Sequence, residues 1–175
     1  MRDRSIRNIA YAGVVGALYV ALTVVLSISS YGPIQFRVAE ALCVLPFIYP
    51  HCVWGLFIGC IAANLFSPYP MDFIVGPLAT LLAACCTMWI GKTRKKGIAV
   101  KAFACLPPVV INAVAIGALI AYYMVSAGDS FAFLPAFAIN CAQIAIGELV
   151  VMYALGLPLL IWLSKSRLSQ REGRL

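Results

Sequence analysis

Residues 31–50 read YGPIQFRVAEALCVLPFIYP, an apolar, helix-like run that carries one arginine and one glutamate, Arg37 and Glu40. An ionised side chain at mid-bilayer costs roughly 2.5–3.5 kcal/mol, and less toward the interfaces. Such a pair persists in lipid only where the two groups satisfy each other, line a wet cavity or hold a ligand. Three residues apart on a helix, they share a face and can touch. The function of the chain is expected at these two residues.

The flanking sequence makes lipid the solvent. The chain has 175 residues, 63% of them hydrophobic and 11% charged, with a mean hydropathy of +0.98. A water-soluble domain of that composition would expose far too much apolar surface. A helix needs about 20 residues to cross a bilayer. The length therefore accommodates six spans, read as 6–28, 34–49, 51–66, 73–91, 101–125 and 135–163, in one integral membrane domain covering 1–175. The second and third are short and meet at Tyr49-Pro50, so a single broken hairpin is an alternative reading there. Pro33, Pro46, Pro50, Pro68, Pro70, Pro107, Pro108 and Pro135 fall at or near the breaks, where a missing backbone donor does least harm. Pro77 and Pro158 lie inside spans and are expected to kink them. The apolar run from Ile9 to Ile28 is longer than the 7–15 residues of a signal-peptide core, and five more spans follow, so it reads as a retained first span.

The net charge of +7 is distributed for a membrane and not for nucleic acid. Basic residues cluster at Arg2, Arg4 and Arg7, at Lys92, Arg94, Lys95, Lys96 and Lys101, and at Lys165, Arg167, Arg171 and Arg174. Six spans with both termini cytoplasmic put all three clusters on the inner face, as the positive-inside rule requires. The opposite loops, 29–33, 67–72 and 126–134, hold no Lys or Arg.

Several chemistries are disfavoured. The seven cysteines form no C-x-x-C pair, and His51 is the sole histidine, so neither a zinc site nor a disulfide is expected and the thiols read as small apolar residues. Gly91-Lys92-Thr93 imitates the end of a phosphate-binding loop, but the required upstream glycine position holds Cys86, and no strand precedes it. Ser27, Ser29 and Ser30 have no histidine nearby in sequence. No enzyme and no cofactor are expected.

The polar residues at membrane depth are few. Arg37, Glu40 and Gln35 lie near the outer end of the second span, Asn64 at the outer end of the third and Asp72 at the outer start of the fourth. Asn140 and Gln143 enter from outside on the sixth span, with Glu148 deeper, and Asn112 lies mid-way along the fifth. They converge on the outer half of the bundle, which argues for a deep outward pocket. Bland alternatives exist: Asp72 as a helix cap, Arg37 and Glu40 as a structural ion pair, Asn64 and Asn112 as interhelical glue. Glu148 has no basic residue within reach on its own helix and awaits Arg37, a proton or a donor-rich ligand. Tyr31, Phe36, Tyr122 and Tyr123 are placed to stack on a ligand, or to form an ordinary interfacial belt. Small residues recur every four positions at Gly13, Ala17 and Ala21, at Gly55, Gly59 and Ala63, and at Ala113, Gly117 and Ala121, the usual close-contact surface between helices in lipid.

The run YGPIQFRVAEALCVLPF, followed by GLFIGCIAANL (55–65), DFIVGPLATLLAA (72–84), LPPVVINA (106–113) and GELVVMYALGLPLL (147–160), resembles the QueT family. Its members are substrate-binding (S) components of energy-coupling factor (ECF) transporters, assigned to queuosine precursors. The resemblance implies a six-helix bundle of the S-component type in a prokaryotic cell membrane. It also implies capture of deazaguanine bases or queuine, and docking on a T component with two ABC-type ATPases. It suggests Arg37, Glu40, Asn64, Asp72, Asn112, Asn140 and Glu148 as the substrate site. The stripe Gly13, Ala17, Ala21 is similar to the alanine-rich motif that meets the T component, although Gly13 departs from strict alanine. Two rival readings are an S component for another heterocyclic vitamin and a self-sufficient proton-coupled carrier.

Overall fold

Four helices are long and apolar enough to cross a membrane: Ser5–Val25, Asp72–Gly91, Ile98–Ser126 and Phe133–Lys165. They belong to a computed structural model that describes residues 2–26, 36–67, 69–93, 97–128 and 132–166, all helical or connecting, with no strand among them. In chain order the elements are α1 (Arg2–Val25), a 3₁₀ helix (Val38–Phe47), α2 (Cys52–Asn64), α3 (Asp72–Gly91), α4 (Ile98–Ala104), α5 (Leu106–Ser126), α6 (Phe133–Val151), a π turn (Met152–Gly156) and α7 (Leu157–Lys165). Large apolar side chains such as Val14, Trp54, Ile58, Leu82, Trp89 and Trp162 point outward, the arrangement expected where lipid is the solvent.

In the stretches expected as the second and third spans, where residues 34 and 35 lie outside the described residues, the helical elements are short. The 3₁₀ helix has 10 residues and α2 has 13, so each covers only about 20 Å along its axis, against about 30 Å of hydrocarbon. The expected fifth span starts earlier and is built of two helices, α4 and α5, that meet at Cys105, just ahead of Pro107 and Pro108 in the first turn of α5. α3 runs on through Pro77. Pro158 has the greater effect: it offers no N–H and its ring crowds the carbonyl four residues back. The preceding turn widens into the π turn Met152–Gly156 before α7 resumes.

The 3₁₀ helix is the axis of the bundle. Nine of its residues are buried, Ala39 to Phe47, and it touches α1, α2, α3, α6, the π turn and α7. Around it α1 packs on α2, α2 on α3, α3 on α5 and α5 on α6. The α1–α2 contact is made by backbone. A Cβ on Gly16 would lie 2.8 Å from the Gly55 carbonyl oxygen, and one on Gly59 2.7 Å from that of Gly16. Gly55, Gly59 and Ala63 are thus internal contacts, as are Ala113, Gly117 and Ala121, with Gly117 set against Cys141.

The basic ends gather together. Tyr11 of α1, Leu45 of the 3₁₀ helix and Leu163 of α7 line one cleft. Phe47 lies against Gly91, and Lys101 Nζ donates to Ser164 Oγ. Arg7, Lys92, Lys101 and Lys165 therefore belong to one end of the molecule.

Candidate functional site

A 3₁₀ helix has three residues per turn, so side chains at i and i+3 eclipse. Arg37, at its N-terminal boundary, Glu40 and Cys43 therefore stack along one edge. The Cys43 thiol donates to Glu40 Oε2 at 2.9 Å. Glu40 Oε1 accepts from Tyr19 Oη of α1 at 2.5 Å and from Thr80 Oγ1 of α3 at 3.2 Å. Cys60 Sγ of α2 closes the group, 3.5 Å from the Tyr19 hydroxyl and 3.4 Å from that of Thr80. Glu40 and Tyr19 are both 0% exposed.

Arg37 reaches the other way. Its Nη2 pairs with Asp72 Oδ2 at 3.4 Å, and the same oxygen accepts from Ser67 Oγ at 2.9 Å. Asp72 opens α3 but does not act as its cap: Met71 holds the cap position, and the Asp72 carboxylate is given to Arg37 and Ser67. Asn64 Nδ2 donates to the Asp72 carbonyl at 2.9 Å and lies 3.6 Å from Cys60 Sγ. Gly76, one turn into α3, makes room for this: a Cβ there would fall 2.7 Å from Asp72 Oδ1 and collide with the Asn64 amide.

Glu148 enters from α6, within electrostatic reach of both Glu40 and Arg37. Its Oε1 accepts from Asn112 Nδ2 of α5 at 3.2 Å. Three buried acceptors in this region have no donor among the described residues: Glu148 Oε2, Asp72 Oδ1 and Asn64 Oδ1. A buried acceptor left without a donor costs about 1–3 kcal/mol. Arg37, Glu40, Asp72 and Glu148 set one cation against three carboxylates, all at most 4% exposed. The arrangement is suited to a ligand rich in N–H donors or carrying positive charge.

Six of the seven expected site residues thus form two neighbouring groups. Arg37, Glu40, Asn64 and Asp72 are linked through Cys60, Tyr19 and Thr80, and the Asn112–Glu148 pair lies beside them. Asn140 stands apart, donating to the Ala136 carbonyl at 2.8 Å and lying 3.3 Å from Met124 Sδ. Tyr123 is engaged elsewhere, its ring tilted against that of Tyr69 at 5.3 Å and its hydroxyl accepting the Met71 N–H at 3.1 Å. Gln35 and Tyr31 lie outside the described residues. Sequence reasoning missed Tyr19, Cys43, Cys60, Ser67 and Thr80. For Tyr19 a signal existed: Ala12, Gly16, Tyr19 and Thr23 share one helical face, and a tyrosine on the close-packed face of a span needs a partner for its hydroxyl.

On the opposite face of α1, Gly13, Ala17 and Ala21 are exposed, and a Cβ on Gly13 would meet nothing within 4 Å. Gly13 and Ala17 line an apolar groove of about 590 Å³ whose other wall is Trp54, Gly55, Ile58 and Gly59 of α2.

Comparison with known proteins adds a family. Residues 9–165 match the family described as QueT transporter. Over 84 residues the chain is 42% identical to the queuosine precursor transporter QueT of Lactococcus lactis subsp. cremoris (strain MG1363), a match that covers 47% of this chain and 50% of that protein. The aligned part thus spans about half the length of the curated relative. No solved structure matches.

Proposed function

Because the chain belongs to the QueT transporter family, a family of transporters and not of enzymes, we propose that it is the substrate-capture (S) component of an ECF-type, ATP-driven importer of queuosine precursors. The observation that carries this reading is the trio of buried acceptors with no donor among the described residues, Glu148 Oε2, Asp72 Oδ1 and Asn64 Oδ1, in a region with an excess of carboxylate. A deazaguanine presents paired N–H donors on its guanine-like edge, which a carboxylate accepts through two parallel hydrogen bonds. The aminomethyl precursor and queuine add an amine that suits the excess negative charge. Glu148 accepts ligand N–H groups, Arg37 orients the carboxylates or donates to the base carbonyl, and Glu40, Asn64, Asp72 and Asn112 complete the site, with Asn140 left outside it by its bonds to Ala136 and Met124.

The gathering of basic residues at one end of the bundle supports a prokaryotic cell membrane with that end cytoplasmic. In this reading both termini are inside and the 3₁₀ helix and α2 complete a six-segment bundle. The exposed Gly13, Ala17, Ala21 stripe and its groove suit close docking of a T component, itself coupled to two ABC-type ATPases.

The test is ligand binding to the detergent-purified single chain, titrated with queuine, the aminomethyl and cyano deazaguanines, and guanine as control. Binding of a deazaguanine with guanine excluded is expected. Folded protein that binds none of them would refute the substrate assignment. Substrate movement by the chain reconstituted alone under a proton gradient would favour an independent carrier over an ECF component.

A further inference from the structure

Glu40 is already well supplied with donors. A carboxylate has about four acceptor positions, and Tyr19, Thr80 and Cys43 take three of them from three different elements. The Tyr19 hydroxyl has one proton and two acceptors in reach, Glu40 Oε1 at 2.5 Å and Cys60 Sγ at 3.5 Å. The carboxylate oxygen is the nearer and the stronger acceptor, so the proton goes there. Cys60 in turn lies 3.6 Å from the Asn64 amide nitrogen, so the same group extends to a residue with a donorless carbonyl oxygen.

We propose that Tyr19 is a positioning residue of the substrate site: its phenol holds Glu40 in one orientation, joins α1 to the 3₁₀ helix at ligand depth and, by accepting the Cys60 S–H on its oxygen, constrains Asn64. Tyr19 acts on the ligand through Glu40, which keeps one acceptor position open, and through Asn64, whereas Glu148 and Asp72 meet the ligand without its help. This division rests on the substrate reading above. It also makes α1 a rod with two jobs. Tyr19 faces the site, and Ala17 and Ala21, about 200° away around the helix, face the groove.

The first test needs no ligand. Infrared difference spectra of wild type against Glu40→Gln isolate the Glu40 carboxyl bands, and Tyr19→Phe is expected to shift them. Unshifted bands would overturn the proposal. The second test titrates the aminomethyl deazaguanine. Tyr19→Phe is expected to weaken binding roughly three- to tenfold, because a Glu40 side chain no longer held by the phenol must be ordered when the ligand binds. In the Glu40→Gln background the same substitution is expected to change affinity by less than about twofold, because coupled residues are not additive. Equal losses in both backgrounds would assign Tyr19 a general structural role and sink the idea. If the wild type binds no deazaguanine, the substrate reading fails, and the infrared bands alone decide whether Tyr19 orients Glu40. Should Tyr19→Phe not fold, 3-fluorotyrosine at position 19 keeps the packing and must still move the bands.

Discussion

Glu148→Gln is the sharpest test of how the site reads its ligand. The substitution keeps the shape of the side chain and changes only charge and donor pattern. Asn112 Nδ2 donates to Oε1 at 3.2 Å, which fixes the side-chain oxygen of the glutamine on the Asn112 side. The new NH₂ group then occupies the place of Oε2, the oxygen that has no donor among the described residues. A ligand N–H that met a carboxylate oxygen now meets another donor. One charge-assisted hydrogen bond is lost, worth about 1.5–3 kcal/mol, and at about 1.4 kcal/mol per tenfold this is roughly a 10- to 150-fold rise in Kd. The assay is isothermal titration of the detergent-purified variant with the deazaguanine that binds the wild type best, alongside a thermal melt to establish folding. Wild-type affinity in a folded Glu148→Gln protein would refute the reasoning and make Glu148 a structural partner of Asn112.

Three further outcomes are expected. Gly55→Ala drives a Cβ into the Ala12 backbone and should cost about 1–3 kcal/mol, seen as a lower melting temperature in detergent, whereas Gly13→Ala, with open space around it, should leave the melt unchanged; equal melts for the two would contradict the α1–α2 contact. Arg37→Gln strands the Asp72 carboxylate and should destabilise the chain by about 3–5 kcal/mol, with partial recovery on adding Asp72→Asn; a double variant no better than the single one would rule out their pairing as the cause. Ala17→Trp fills the exposed groove and should preserve ligand affinity while preventing co-purification with the T component; retained assembly would place that contact elsewhere.

Much of the fold was legible because lipid enforces a simple code. Length and apolar composition pointed to the four long apolar helices, whose ends in the structure lie within a few residues of those read from the sequence where both are described. The second and third segments were harder to read, since hydropathy reports burial and not rise per residue. VAEALCVLPF is as apolar as a span, yet it forms a buried 3₁₀ core element surrounded by protein. In the site, the charged and amide residues could be found singly because each is costly in lipid. Their partners could not. Tyr19, Thr80, Cys43 and Cys60 are unremarkable in membrane text, and only the convergence of α1, α2, α3 and the 3₁₀ helix turns them into donors and acceptors around Glu40. Arg37 illustrates the limit: spacing pointed it at Glu40, and tertiary packing carried it to Asp72, 35 residues away.

The three-residue period of the central segment also restricts how this protein can evolve. Inserting or deleting one residue between Glu40 and Cys43 would rotate everything beyond it by about 120°, carrying Cys43 off the edge it shares with Glu40 and turning Val44 away from Gly156 of the π turn, against which its side chain packs. A change of three residues would restore the facing side chains while displacing the segment by about 6 Å. Length variation among descendants of this sequence is therefore expected to spare the segment altogether or to occur there in triplets.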